Sequence, residues 1–407
     1  MDTQNTPVHI KLWHHDFWRL CFANLLLMMS IYMLIPMMPF ELYHLGYQPV
    51  QVASVVGSYG LGIFVLGGFC SFLVQRYRRN RVCQYSIAGI VVCLLSLYYM
   101  HFVLGHEPEY GLLIAARFVL GAFLGLAQMT LSSTLIIDTC ESFQRTEANY
   151  ITAWFSRFAL ALGPMAAVLI LQVFGVQGII LVASACALAS LALVSLVKFP
   201  FKAPGEHMHK LSFDRFFLPQ GLPLFANIVL IMAVAGLVLS VPHSAEFYLM
   251  VTAGMVLGVL AEKFAFADAD LKSEVITGLV LLGASLLILA SSNDAAIAFI
   301  SPSLLGFALG IMGSRFLLFY IKLAKHCQRG TSMSSFFLAW EFGLSLGLYG
   351  GFLLQDKPID LALRADMKPL LNVATPLIIC AGIALTVVSL LAYNFLVHPW
   401  YMKHRNR

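Results

Sequence analysis

Charge is scarce in this sequence. It holds 25 Lys and Arg and 20 Asp and Glu in 407 residues, 11% charged against 60% hydrophobic, where an average soluble protein carries about 25% charged residues. So few charges cannot clothe a water-facing surface of this length, which argues against a soluble globular fold. A Gly-rich phosphate loop ending in Gly-Lys-Ser/Thr is also missing, which argues against work driven by ATP. The eight cysteines, Cys21, Cys70, Cys83, Cys93, Cys140, Cys186, Cys327 and Cys380, include no Cys-x-x-Cys and no His at ligand spacing. Free thiols, no metal and no other cofactor are expected. His14-His15 and His207-Met-His209 read as solvated residues at helix ends or in loops. Asp268-Ala-Asp270 has the form of a metal-binding acidic pair but is more simply a short acidic loop. The N-terminus carries Asp2, Lys11 and Asp16 without a small-residue cleavage site, so no cleavable signal peptide is expected.

What is present is a succession of apolar runs about 20 residues long. Wound at ~1.5 Å per residue, each crosses the ~30 Å of hydrocarbon in a bilayer, where only a helix satisfies its own backbone. The chain is therefore expected to be an all-α polytopic membrane protein whose surroundings are the lipid bilayer. Twelve spans are predicted. The first six are Phe17–Phe40, Val50–Val74, Val82–Leu104, Gly111–Ile137, Ile151–Phe174 and Val176–Val197. The second six are Leu222–Val241, Phe247–Phe264, Val275–Ser292, Ala295–Ile321, Ser332–Leu354 and Leu370–Val397. Only Pro242 to Glu246 divide spans seven and eight. The domain division that follows is 1–197, a connection at 198–221, and 222–407.

An even number of spans puts both termini on one side, and the basic residues say which. Nineteen of the 25 lie at the two ends or in even-numbered loops. The odd-numbered loops hold only Lys357, Arg364 and Lys368, while Arg117, Arg157 and Arg315 lie inside spans. The positive-inside rule then makes the termini and the 198–221 connection cytoplasmic, in a cell (cytoplasmic or inner) membrane. The net charge of +5 is thus a topology signal and not a nucleic-acid footprint.

The chain also repeats itself. Ser71-Phe-Leu-Val-Gln75-Arg76-Tyr77 closes span two and Gly258-Val-Leu-Ala-Glu262-Lys263-Phe264 closes span eight, an offset of 258 − 71 = 187. Gly121-Ala-Phe-Leu-Gly125 in span four recurs as Gly306-Phe-Ala-Leu-Gly310 in span ten, offset 185. Gln144-Arg145 recurs at Gln328-Arg329, and Ala159-Leu-Ala-Leu-Gly163 recurs as Gly343-Leu-Ser-Leu-Gly347, both offset 184. Small residues four apart let membrane helices approach closely, and near-constant offsets over three spans indicate a duplicated six-helix unit.

These residues resemble the major facilitator superfamily of secondary transporters, whose loop between spans two and three has the form Gly-x-Leu-Ala-Asp-Arg-x-Gly-Arg-Arg. The segment from Ser71 to Arg81 is similar, with Arg76 and Arg79 in the basic positions, and the Gly258 copy is closer to the pattern. Arg117-Phe-Val-Leu-Gly121 is similar to the family's span-four motif, and Gly163-Pro164 to the end of a span-five motif associated with antiporters. The departures are Ser71 for Gly, Gln75 for Asp and Arg78 for the second Gly.

The resemblance implies two pseudo-symmetric six-helix bundles around a cavity lined by spans one, four, seven and ten, with access alternating as the bundles rock. Pro36 and Pro39 are expected to interrupt or bend the outer half of span one. The resemblance also implies a gate on the cytoplasmic side. Asp138 would meet Arg76 or Arg79 there, and a carboxylate at the end of span two would meet the start of span eleven. Gln75 cannot supply that carboxylate, whereas Glu262, next to Lys263, would supply the equivalent contact to span five near Asn149.

An unpaired charge near the bilayer centre costs at least ~2.5–3.5 kcal/mol, so intramembrane charges are the places to look for chemistry. Glu41 at the outer end of span one and Arg117 in span four could pair or share substrate. Arg157 and Glu341 occupy equivalent repeat positions, 341 − 157 = 184, with opposite charge. Glu341 is the leading proton carrier, because a carboxyl exchanges a proton and an arginine does not; Arg157 or a cationic substrate would compete for its charge. Asn24, Tyr32, Gln128 and Trp340 are candidates for the cavity wall. For all of these the plainer role is packing, as interhelical ion pairs or polar glue.

Two classes of function follow. One is a secondary transporter, not an enzyme, that moves a small-molecule substrate with protons and works as a monomer. The other is a membrane-embedded enzyme or a transporter-like sensor that binds without translocating. An embedded enzyme would gather His or carboxylate groups at one face, whereas these charges are spread over a duplicated frame, which fits translocation. The 31 Phe and 17 Met favour efflux of apolar compounds over uptake of sugars.

Overall fold

The computed structural model describes residues 12–105, 108–141, 143–199, 209–266, 270–291, 295–325, 328–355 and 376–405. Asp2, Lys11, His207, Asp268, Cys327, Lys357, Arg364, Lys368 and the first residues of the expected last span, 370–375, lie outside them. Eleven described segments are long and apolar enough to cross a membrane. They are α1 His15–His44, α2 Pro49–Arg76, α3 Arg79–Val103, α4 Tyr110–Asp138, Arg145–Leu196, α7 Pro219–Leu239, α8 Ala245–Phe264, α9 Leu271–Ala290, α10 Phe299–Leu323, α11 Arg329–Leu353 and α12 Pro376–His404.

The segment Arg145–Leu196 has 52 residues, so a straight helix would run ~78 Å, more than twice the hydrocarbon thickness. It reverses at Gly175, whose φ of 64° and ψ of −167° suit only a residue without Cβ. The halves are α5 (145–174) and α6 (176–196), which makes twelve passes and places the start of α1, the end of α12 and the described residues 209–221 of the connection on one face, here the termini face.

Glycine sets the helix pairs. A Cβ on Gly121 of α4 would lie 2.2 Å from the Tyr59 carbonyl of α2, and one on Gly306 of α10 would lie 2.0 Å from the Val251 carbonyl of α8. The backbones touch there, which compensates for the missing hydrophobic drive in lipid. These contacts also correct one register. Span four to span ten keeps its offset, 306 − 121 = 185, but span two to span eight is 251 − 59 = 192 at this crossing. The offset of 187 read at the end of span two does not extend up the helix. Between the two registers, at 63–69, α2 leaves α-helical geometry and passes through a 3-10 turn, Gly67–Phe69, whereas α8 is continuous.

The expected interruption of span one is a single turn residue, Met33, between His15–Tyr32 and Leu34–His44. It falls just before Pro36, which has no N–H to offer the Tyr32 carbonyl and whose ring crowds that carbonyl. In α9, the helix starts earlier than the apolar run suggests, so Glu274 lies in its first turn and not in a loop. Polar contacts join the two halves on the face opposite the termini as well: Tyr43 donates to Gln355 at 2.8 Å, and Ser345 of α11 donates to the Gly57 carbonyl of α2 at 2.7 Å.

Candidate functional site

Between the halves lies a cavity of about 30 Å³, lined by Asn24 of α1, Gln128 and Ser132 of α4, Thr152 and Arg157 of α5, and Met333, Phe336, Phe337 and Trp340 of α11. It has room for about one water molecule. Of the expected wall residues, Asn24, Gln128, Arg157 and Trp340 converge here; Tyr32 does not line it. Gln128 donates to the Asn24 side chain at 2.7 Å and Asn24 donates to the Thr152 carbonyl at 3.1 Å, so the polar side of the wall is a connected network. Of the implied lining by spans one, four, seven and ten, α1 and α4 contribute to this cavity, and α5 and α11 supply the rest of its wall. On the α10 side the space is filled by Arg157, whose guanidinium donates at 2.8 Å to both the Gly310 carbonyl and Ser314.

Glu341 and Arg157 are fully buried, each 12 residues past the start of its helix (341 − 329 and 157 − 145), hence ~18 Å along it. They do not pair with each other; no such ion pair occurs among the described residues. Each reaches instead into the other half. Glu341 accepts a hydrogen bond from the Tyr32 hydroxyl, at the end of the first segment of α1, while its second carboxylate oxygen has no hydrogen-bond partner. Arg157 crosses to α10, and its guanidinium stacks 4.1 Å from the Trp154 ring.

The expected approach of Glu41 to Arg117 is not made. Glu41 meets His101 at 2.6 Å, a partner at its own depth near the end of α3. Arg117, seven residues into α4, is buried over the Tyr59 ring at 5.1 Å, with Nε and Nη1 unpartnered. Tyr59 is within electrostatic reach of both Glu341 and Arg117. Sequence reasoning missed Tyr59; its signal is a phenol set in the small-residue stretch Val55–Gly62. The charged centre is thus Tyr32, Glu341, Tyr59 and Arg117, in place of a Glu341–Arg157 couple.

At the termini face Asp138 pairs with Arg79, one of its two expected partners, while Arg76 lies over the Phe72 and Tyr77 rings. Gln75 donates to Ser71 at 2.9 Å, and Ser71 donates to Asp214 at 3.1 Å. Thr331, in the first turn of α11, donates to the other Asp214 oxygen at 3.3 Å. A carboxylate therefore does sit between the end of α2 and the start of α11, but the connection between the halves supplies it. Ser71 in place of Gly provides the hydroxyl that holds it. Glu262 makes no bond to Asn149: both of its carboxylate oxygens are buried without a hydrogen-bond partner, and the groups that act on it are Ser314 and Arg315 of α10. Lys263 is exposed, near the Phe264 ring. Arg315 in turn makes a two-pronged pair with Glu274, which is fully buried at the start of α9.

No curated protein matches the chain by sequence. Solved structures share its frame. One described as showing substrate recognition in proton-dependent oligopeptide transporters aligns with a TM-score of 0.70 at 13% identity, covering 96% of this chain and 99% of the other. An auto-inhibited peptide transporter of the POT family aligns with a TM-score of 0.66 at 11% identity, covering 96% and 97%. At such identities the likeness is one of fold. The family model for the Major Facilitator Superfamily matches residues 20–402. With that match over nearly the whole length, on twelve passes with glycine-paired helices, the chain belongs to the Major Facilitator Superfamily and is a membrane transporter.

Proposed function

We propose that the chain is a proton-coupled secondary transporter that exports small, largely apolar solutes, working as a monomer with its termini in the cytoplasm and each half, 1–197 and 222–407, as a rocking unit. The observation that carries this reading is Glu341, a fully buried carboxyl in mid-helix that is bonded across the interface between the halves. For the halves to separate, the Tyr32–Glu341 bond must break. A charged carboxylate released from it would be left without its donor in the hydrocarbon region, and a protonated one would not, so proton uptake licenses the movement. Loss of the proton restores a charge that the Tyr32 hydroxyl stabilises, which draws the halves together. Arg157 serves as an interface pin through α10, and as an arginine it stays charged.

With the halves together the space between Met333, Phe336, Phe337 and Trp340 on one side and Asn24 and Gln128 on the other holds about one water; parted by the rocking, the same walls suit a solute with an apolar body and one hydrogen-bonding group. The test is transport in proteoliposomes across a panel of apolar cations, neutral aromatics and dipeptides. Glu341→Gln is expected to abolish uphill movement under a proton gradient while leaving downhill exchange. Uphill transport with unchanged pH dependence in that variant refutes the coupling role. Absence of exchange for every compound by the wild type would favour a sensor that binds without translocating. For orientation, an impermeant thiol reagent applied outside should label a cysteine placed at Glu109 and spare one at Lys210; the reverse pattern inverts the topology.

A further inference from the structure

A second, larger cavity opens at the termini face. Its volume is about 330 Å³, and its charged lining is Arg79, Arg145, Arg215, Arg329, Asp138 and Asp214. Four guanidinium groups against two carboxylates leave an excess of +2. Asp138 is engaged by Arg79, and Asp214 is held by Ser71 and Thr331 with Arg215 3.6 Å away. Arg145 and Arg329 make no ion pair among the described residues. The Arg145 Nε and Arg215 Nη1 atoms are buried and have no hydrogen-bond partner.

The duplication sharpens this imbalance. Arg145 is the first residue of α5 and Arg329 the first of α11, equivalent positions at 329 − 145 = 184, and neither helix start has a side-chain cap. A cation at the positive end of a helix dipole is unfavourable, and here the arrangement occurs twice around one cavity. Arg215 adds backbone strain. Its φ of 60° is the one positive value outside glycine among the described residues, and this conformation sends its N–H to Thr331 at 2.8 Å. Burial and the nearby Arg79 both push the Arg215 pKa down, with Asp214 opposing them.

We infer that this cavity is a binding site for a phosphate-class dianion, held by Arg145 of the first half, Arg215 of the connection and Arg329 of the second half. Guanidinium groups bind such oxyanions through paired N–H donors, and a phosphomonoester carries about −1.5 to −2 at pH 7, matching the excess. The helix starts at Arg145 and Arg329 favour the same charge. Because the three arginines come from both halves and the segment joining them, a bound dianion clips the termini face shut. Neither the solute nor the proton site takes part, so this inference stands apart from the transport reading.

The test uses the full chain in phosphatidylcholine nanodiscs, titrated with inorganic phosphate at constant ionic strength, with chloride as the control and thermal stability and calorimetry as readouts. Saturable binding of phosphate over chloride is expected, weakened about ten-fold or more by Arg145→Gln or Arg329→Gln and unchanged by Arg76→Gln, which removes a cation of the same face outside the cavity. A parallel arm replaces part of the lipid with phosphatidic acid. A response confined to that arm, lost in the same two variants, identifies a lipid headgroup as the source of the phosphate. Should the variants not fold, the wild-type titrations still decide. No saturable response to phosphate and none to phosphatidic acid overturns the site, as does binding that both arginine variants retain in full.

Discussion

In the first half of the molecule α3 contributes the cation and α4 the anion of the pair that joins them, Arg79 and Asp138. In the second half the signs are exchanged, with Glu274 on α9 and Arg315 on α10. The pseudo-equivalent mid-helix charges are exchanged too, Arg157 on α5 against Glu341 on α11. The apolar frame has diverged less: in both halves a glycine, Gly121 of α4 and Gly306 of α10, brings its helix backbone against a carbonyl of the paired helix, Tyr59 of α2 and Val251 of α8. Packing between helix backbones leaves no freedom to change without losing the crossing. A charge needs only some partner of opposite sign or a donor, so the two copies could settle on different pairs. The halves also differ along α2 and α8: α2 is broken at 63–69 and its end borrows Asp214 from the connection, while α8 is continuous and leaves Glu262 without a hydrogen-bond partner.

The comparison breaks most visibly at the two mid-helix charges. Glu341→Gln is expected to reduce proton-driven transport to background and flatten its pH dependence. Arg157→Gln, which removes the bonds to Gly310 and Ser314, is expected to slow transport while keeping the pH profile. Equal pH profiles for the two variants, measured by uptake in proteoliposomes, would make the charges interchangeable packing groups.

Next come the exchanged ion pairs. Removing one member of a buried pair costs about 3–5 kcal/mol, and Glu274 is fully buried. A partly exposed pair is worth about 0–1 kcal/mol, and the side chains of Arg79 and Asp138 are 15% and 34% exposed. Glu274→Gln should therefore destabilise the protein in detergent far more than Asp138→Asn, and the double exchange Glu274→Arg with Arg315→Glu should recover part of the loss. Equal shifts in the unfolding midpoint would contradict the burial argument.

The glycine crossings sharpen the opposite side of the comparison. Gly121→Ala and Gly306→Ala each force a Cβ against a backbone carbonyl, and overpacking of this kind costs about 1–3 kcal/mol. The two losses should be similar, and a loss in one half only would mean that the crossings are not equivalent.

The smallest effect is at the termini-face ends of α2 and α11. A carboxylate near a helix N-terminus is worth about 0.3–1 kcal/mol, so Asp214→Asn should shift the closed-to-open ratio at the termini face roughly two- to five-fold toward open. Gln75→Asp would place a second carboxylate beside Asp214 and should shift it the same way, where a gate lacking any acid would instead close. Spin-label distances between the ends of α2 and α11 read both outcomes.

Much of this was legible in one dimension. Span length, apolarity and basic-residue bias are properties of contiguous segments, so the twelve passes, their duplication and the family emerge without knowing any contact. Arg117, Arg157 and Glu341 are legible as intramembrane charges for the same reason. Asp138 with Arg76 or Arg79 was also within reach, through the resemblance of the loop after span two, and the structure selects Arg79. Glu274 was not, since an acidic residue at the edge of an apolar run reads as loop until the helix start is known.

The sequence by itself therefore determined how many times the chain crosses the membrane, that its halves are copies, and which rare charges must be accommodated inside. Only the tertiary structure decided what accommodates them. Tyr32 meets Glu341 across 309 positions of chain and Ser71 meets Asp214 across 143. Such partners are selected by which faces the glycine crossings turn toward each other, and by how the connection threads between α2 and α11. Neither leaves a periodic trace, because a single hydroxyl or carboxylate at the right depth satisfies the charge wherever in the chain it comes from.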